Sequence, residues 1–150
     1  LSGERTPHND AQIRAAFIGL GAEHDAESLT QAVMAGVSFA FLDNLHALKT
    51  AGTSLERVTA VGGGSRSTYW LQMLATVLDM PVDVPVDGDF GAAFGAARLG
   101  MIAAIGGSAA DVLTAANVSH TIEPIEDLAA SYRDAYQAWQ PLYQAVKSAN

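Results

Sequence analysis

Residues 58–70 read VTAVGGGSRSTYW: a short β-branched run, three consecutive glycines, two serines around an arginine, and then the start of an apolar helix. Glycine loses more backbone freedom on folding than any other residue, so such a cluster calls for a geometry or a close approach that a Cβ would forbid. A strand that runs through glycines into a helix presents free N–H groups and the positive end of the helix dipole, an arrangement suited to an anion or a nucleotide. Ser65 and Ser67 are candidate caps for that helix, and Arg66 is a candidate partner for a phosphate or a base. The alternative at this level is a tight strand-to-helix turn with no ligand. No Gly-Lys-Ser/Thr follows, so this is not a Walker A loop. GxGxxG and the acidic residue about 20 positions on are missing too, which argues against a Rossmann dinucleotide site.

Working outward, apolar Leu29, Val33, Val37, Ala40, Phe41, Leu45 and Leu48 recur at helical spacing from about Ala26, and Gly52 is placed to stop that helix. Phe39 and Leu42 widen the stripe, which predicts a well-buried helix. Residues 57–61 are a strand candidate. Residues 67–80 form a helix with Tyr69/Trp70, Met73/Leu74 and Val77/Leu78 at period 3.6, ended by Pro81. Residues 82–84 are a second strand, and 89–106 a helix of small residues. Residues 1–23 and 114–124 read as loop and connector. A final helix follows, with Pro141 placed to kink or break it. The order argues for an α/β fold with parallel pairing. Two short strands are too few for a covered sheet, and the chain opens in mid-motif without methionine. Both features fit a fragment whose sheet is completed elsewhere.

The chain has 150 residues, 49% hydrophobic and only 16% charged, with net charge −8. Soluble domains average about 25% charged residues, so either the core is large or other protein covers part of the surface. No basic stripe points to nucleic acid, and no basic amphipathic segment or long apolar run points to a membrane. With no cysteine, disulfides and thiolate zinc sites are excluded. The cytoplasm is the default compartment.

Several further residues carry two readings each. Glu4, Arg5, His8 and Asp10 crowd one loop, facing a cleft or held as an Arg–carboxylate pair. His8, His24, His46 and His120 lack metal-ligand spacing and read as surface or capping residues. Asp87 and Asp89 either reach Mg²⁺ through water or cap the following helix. Gly91 and Gly95, four apart on one helix face, serve close packing or form a second wall of a nucleotide pocket. Tyr132, Tyr136, Trp139 and Tyr143 read as packing.

Taken in order, LSGERTPHNDAQIRAAFIGL (1–20), AVGGGSRSTYWLQMLATVLDMPVDVP (60–85) and GDFGAAFGAARLG (88–100) resemble the C-terminal part of the FGGY carbohydrate kinases, most closely the xylulokinases. The likeness covers nearly the whole chain. It implies an actin-like ATPase fold of two lobes, related to ribonuclease H, with residues 1–150 as the C-terminal part of the nucleotide-binding lobe. It also implies binding of ATP/ADP with Mg²⁺ and phosphorylation of D-xylulose to D-xylulose 5-phosphate. In that resemblance Gly62, Gly63 and Gly64 let adenosine approach the backbone, with Ser65, Arg66 and Thr68 beside it. The stretch 91–97, with Gly91 and Gly95, forms the opposite side of the adenine slot. The sugar-binding lobe and the aspartate base lie upstream in such kinases, so no catalytic residue is expected in this chain. Alone it is expected to bind nucleotide weakly and transfer nothing. The final helix of such kinases can contribute to subunit contacts, which makes a homodimer possible. The pattern departs at Thr68, where some relatives have Asn, and at Ala35, where an acidic residue is common. Ribulokinase, glycerol kinase and gluconate kinase share the adenosine motif and are the alternatives within the family. An interaction domain with purely structural glycines is the alternative outside it.

Overall fold

The computed structural model describes residues 2–86, 88–106 and 108–149. Along the chain come β1 (Ser2–Glu4), β2 (Asp10–Arg14), α1 (Ala26–Thr50), β3 (Val58–Thr59), a 3-10 turn (Gly63–Arg66), α2 (Thr68–Leu78) and β4 (Val82–Pro85). A second 3-10 turn (Gly88–Phe90), α3 (Gly91–Ile105), α4 (Ala109–Val112), β5 (Val118–Ile122), α5 (Glu126–Trp139) and α6 (Leu142–Ala149) follow.

The core is built around α2, which packs against α1, α5 and the strands β4 and β5. Met73 and Val77 meet Phe39 of α1 and Tyr136 of α5. Leu74 and Leu78 meet Leu45 and Met80. Leu71 and Ala75 lie on Val82 and Ile122 of the sheet. Each Val, Leu, Ile, Phe or Met side chain among them contributes about 1.5–3 kcal/mol on full burial. Helix α2 therefore sits between a sheet on one side and a helical pair on the other, and its N-terminus is fixed in space by both. It ends at Leu78, ahead of Pro81: Asp79 adopts a left-handed conformation (φ 50°), and Met80 N–H returns to Ala75 O at 3.1 Å, a Schellman-type stop.

The sheet has the order β3-β4-β5. Strand β3 pairs parallel with β4, as the element order predicts, while β4 pairs antiparallel with β5. Strand β5 lies inside what the sequence offers as a connector. It is an edge strand with only Ile122 buried, so it lacks the apolar alternation that marks a half-buried strand. The expected N-terminal loop likewise contains the β1–β2 hairpin; three residues centred on Gly3 carry no strand signal. Pro141 does break the last helix, separating α5 from α6.

The expectation that α1 is well buried is corrected. Helix α1 buries Ser38, Phe39 and Leu45, but Val33, Phe41 and Leu48 are each 46% exposed and Val37 42%. Those four residues form a second stripe on a face that nothing in the described chain covers. Helix α3, apolar apart from Arg98, buries no residue at all. No described helix is long and apolar enough to cross a membrane.

Candidate functional site

Strand β3 delivers the chain to the glycines along β4: Ala60 N–H donates to Asp83 O at 2.9 Å, and Gly62 N–H to Gly88 O at 2.8 Å. The carbonyl of Gly62 then accepts Ser65 N–H at 3.0 Å and Ser65 Oγ–H at 2.7 Å. Ser67 N–H returns to Gly64 O at 3.1 Å, and Ser67 Oγ accepts Trp70 N–H at 3.3 Å. Of the two candidate caps, Ser67 caps α2 while Ser65 closes the turn that precedes it. Arg66 and Thr68 are exposed at the start of the helix.

The three glycines have three different reasons. Gly62 adopts φ +85°, where an L-residue is strained. Gly64 faces an indole: a Cβ there would stand 2.5 Å from Trp70 Cζ3. Gly63 needs neither explanation, since a Cβ added to it meets nothing within 4 Å. Its open face is the one onto which a ligand can come close.

The second glycine string lies beside the first. Gly91 has φ +31°, and a Cβ on it would sit 3.3 Å from Gly62 N. Gly88 fits under Ala60 O and against Pro85. Close packing thus explains Gly91, where the start of α3 meets the turn. It does not explain Gly95, which has nothing within 4 Å of a Cβ position, because no described element packs on that face. Arg98 ties α3 to the following loop through Thr114 O at 2.8 Å and lies 4.2 Å over the Phe94 ring. Asp87 lies outside the described residues, as does the side chain of Asp89. Helix α3 starts at Gly91, and among the described side chains none caps it.

A buried carboxylate underlies this arrangement. Asp83 is 3% exposed and accepts from Arg57 Nη1 at 2.8 Å and from Thr121 Oγ1 at 2.6 Å. It joins β4 to β5 and to the residue preceding β3, and so holds the strands that aim the turn. Charged Asp83 within the apolar run 82–85 was the signal for it.

The loop holding Glu4, Arg5, His8 and Asp10 is organised without an Arg–carboxylate pair. Glu4 Oε2 accepts His8 N–H at 3.0 Å. Asp10 Oδ1 accepts Gln12 N–H at 2.9 Å and Oδ2 accepts the Tyr143 hydroxyl at 3.0 Å. Lys147 lies 3.6 Å from Asp10. The imidazole of His8 stacks on Tyr143 at 3.6 Å. The Gln12 amide, then the Tyr143 hydroxyl, hold the Asp10 carboxyl below its usual range. The hydrogen bond to Tyr143 pushes Lys147 up, helped by the charge of Asp10. His24 Nδ1 accepts Gly21 N–H at 2.8 Å. His46 Nδ1 lies 3.1 Å from the Tyr136 hydroxyl, which itself donates to Asp43. Burial raises the Tyr136 pKa above its ordinary value, and the Asp43 contact adds to the rise. Among the described residues, no three His, Cys, Asp or Glu side chains gather as metal ligands.

Residues 1–104 match the model of the FGGY family of carbohydrate kinases, C-terminal domain. The chain belongs to the FGGY carbohydrate kinase family. It is 39% identical over 147 residues to the xylulose kinase of Escherichia coli, covering 97% of this chain and 30% of that protein. It superposes on a crystal structure of a xyloylose kinase from Brucella ovis with TM-score 0.87 and 54% identity, covering 99% of this chain and 31% of that one. A gluconate kinase from Lactobacillus acidophilus matches with TM-score 0.69 and 26% identity, over 99% of this chain and 29% of that one. This FGGY domain thus spans about 30% of the length of these proteins. Its fold is that of the FGGY sugar kinases, an actin-like ATPase lobe, helix-rich and with small incomplete sheets.

Proposed function

We propose that residues 1–150 form the C-terminal part of the nucleotide-binding lobe of an ATP-dependent kinase that converts D-xylulose to D-xylulose 5-phosphate. The observation that carries the nucleotide site is the open face of Gly63, on a turn that points into the N-terminus of α2. Identity of 54% to the Brucella ovis enzyme and 39% to the E. coli xylulose kinase, against 26% to the gluconate kinase, supports the sugar. In this reading Gly62, Gly63, Gly64, Ser65, Arg66 and Thr68 line one side of the adenosine slot, and Gly91 and Gly95 the other. Gly62 and Gly91 shape the floor, Gly63 and Gly95 leave room for the ligand, and Arg66 and Thr68 stand at its edge.

Mg²⁺ would arrive on the triphosphate, where it neutralises charge that develops in transfer. Catalysis of phosphoryl transfer is mostly positioning and electrostatic stabilisation, and the contribution of these residues is to seat the nucleotide. A cytoplasmic enzyme that forms a homodimer completes the reading. The test is turnover by the full-length protein with MgATP and D-xylulose, D-ribulose, glycerol or gluconate. The highest kcat/KM is expected for D-xylulose. A higher value for another substrate would reassign the sugar, and no turnover of any would remove the kinase reading.

A further inference from the structure

Trp70 joins the glycine turn to α1. Its indole Nε1–H donates to Ser38 Oγ at 3.1 Å, and Ser38, which is fully buried, donates to Met34 O at 2.9 Å. The pyrrole side of the ring is therefore anchored in α1. The benzo side covers Gly64: a Cβ there would stand 2.5 Å from Cζ3, 3.2 Å from Cε3 and 3.6 Å from Cη2. The ring also packs on the cluster of Phe39, Met73, Val77 and Tyr136, so it cannot swing away freely. Gly64 O in turn receives the N–H of Ser67, the cap of α2. Any displacement at Gly64 is passed both to the cap and to Gly63.

We propose that Trp70, held by Ser38, is the positioning residue of the 62–67 turn, and that Gly64 is glycine to admit the indole and not the nucleotide. This rests on the nucleotide site proposed above and refines it by taking one glycine out of direct contact. The two causes of a glycine separate in a double-mutant cycle, because residues in contact are coupled whereas distant, independent sites are close to additive. In the full-length protein, Gly64→Ala is expected to lower the ligand-free melting midpoint and weaken MgADP about tenfold, since small misplacements of a seated ligand are costly. Trp70→Phe, with a ring too short to reach the Cζ3 position, is expected to weaken MgADP about threefold. In the Trp70→Phe background Gly64→Ala should then have almost no further effect on either quantity, while Gly63→Ala weakens MgADP by the same factor in both backgrounds. The effects should appear in the KM for ATP and leave the KM for the sugar unchanged.

Equal effects of Gly64→Ala in both backgrounds would overturn the proposal and return Gly64 to the nucleotide. If Trp70→Phe does not fold, Trp70→Leu, which likewise leaves no ring atom at the Cζ3 position, takes its place in the cycle. A wild-type protein that ignores MgADP would instead refute the nucleotide site and the positioning role with it. The cycle in ligand-free midpoints would still decide whether Gly64 is glycine because of Trp70.

Discussion

Gly63→Ala is the cleanest perturbation at the scale of single residues. Its backbone lies outside the left-handed region, and an added methyl meets nothing within 4 Å. Alanine there should therefore leave stability unchanged or raise it by up to about 1 kcal/mol through the unfolded state, while weakening nucleotide binding. Calorimetric unfolding together with ADP titration of the full-length variant checks both halves. Asp83→Ala should lower stability by about 2 kcal/mol, because Thr121 and the strand junction lose a charged acceptor. Arg57→Ala should cost less, since its side chain is 60% exposed and water replaces part of the interaction; thermal midpoints of the two variants give the ranking. The sequence showed that residues 62–64 needed explaining, and it placed Ser67 among the caps. It did not separate the three glycines. Their separate causes lie in the sign of φ at Gly62, an indole six residues further on at Gly64, and empty space at Gly63.

Among the elements, α1, α2, β3, β4 and the break at Pro141 were legible because each carries its own period, cap or breaker. Strands β1 and β5 were not, because each is short or exposed and is defined by its partner instead of its own apolar pattern. Helix α3 was legible as a helix and misleading as a packing surface. Gly95→Ala should stabilise it by roughly 0.5–1 kcal/mol, the usual gain of alanine over glycine inside a helix. Reduced ADP affinity in the same variant would mark that face as a wall of the nucleotide slot. The docking of α6 on the β1–β2 hairpin should depend on pH. Asp10 has a depressed pKa in the folded state, so its contribution is complete above the ordinary carboxylate value of 3.8 and disappears as pH falls below it. Lys147 has a raised pKa, so its contribution is present below 10.5 and is lost as pH rises beyond that value. Amide protection in α6, measured as the ratio of Asp10→Asn to wild type at each pH, should be lower for the variant near neutrality and return toward equality as pH falls through the lowered Asp10 pKa.

For the whole molecule, the low charge fraction has a structural counterpart. The stripe Val33, Val37, Phe41 and Leu48 on α1 is exposed, as are Phe94, Leu99, Met101 and Ile105 on α3 and Phe17, Ile18 and Leu20 after the hairpin. A helix that is apolar all round belongs in an interior, and this chain spans about 30% of the E. coli xylulose kinase. Expressed alone, residues 1–150 should bind a hydrophobic dye and self-associate in light scattering, whereas the full-length protein should do so far less. A dye-free, monodisperse monomer would contradict that expectation. The central claim is that the glycine turn seats a nucleotide. It is tested most directly by melting the full-length protein and its Gly63→Ala variant with and without millimolar MgADP. Ligand that binds the native state raises the midpoint by mass action. The account predicts a rise for the wild type that is lost in the variant, with a ligand-free midpoint in the variant equal to or slightly above that of the wild type. No rise in the wild type, or the same rise in both proteins, would contradict it.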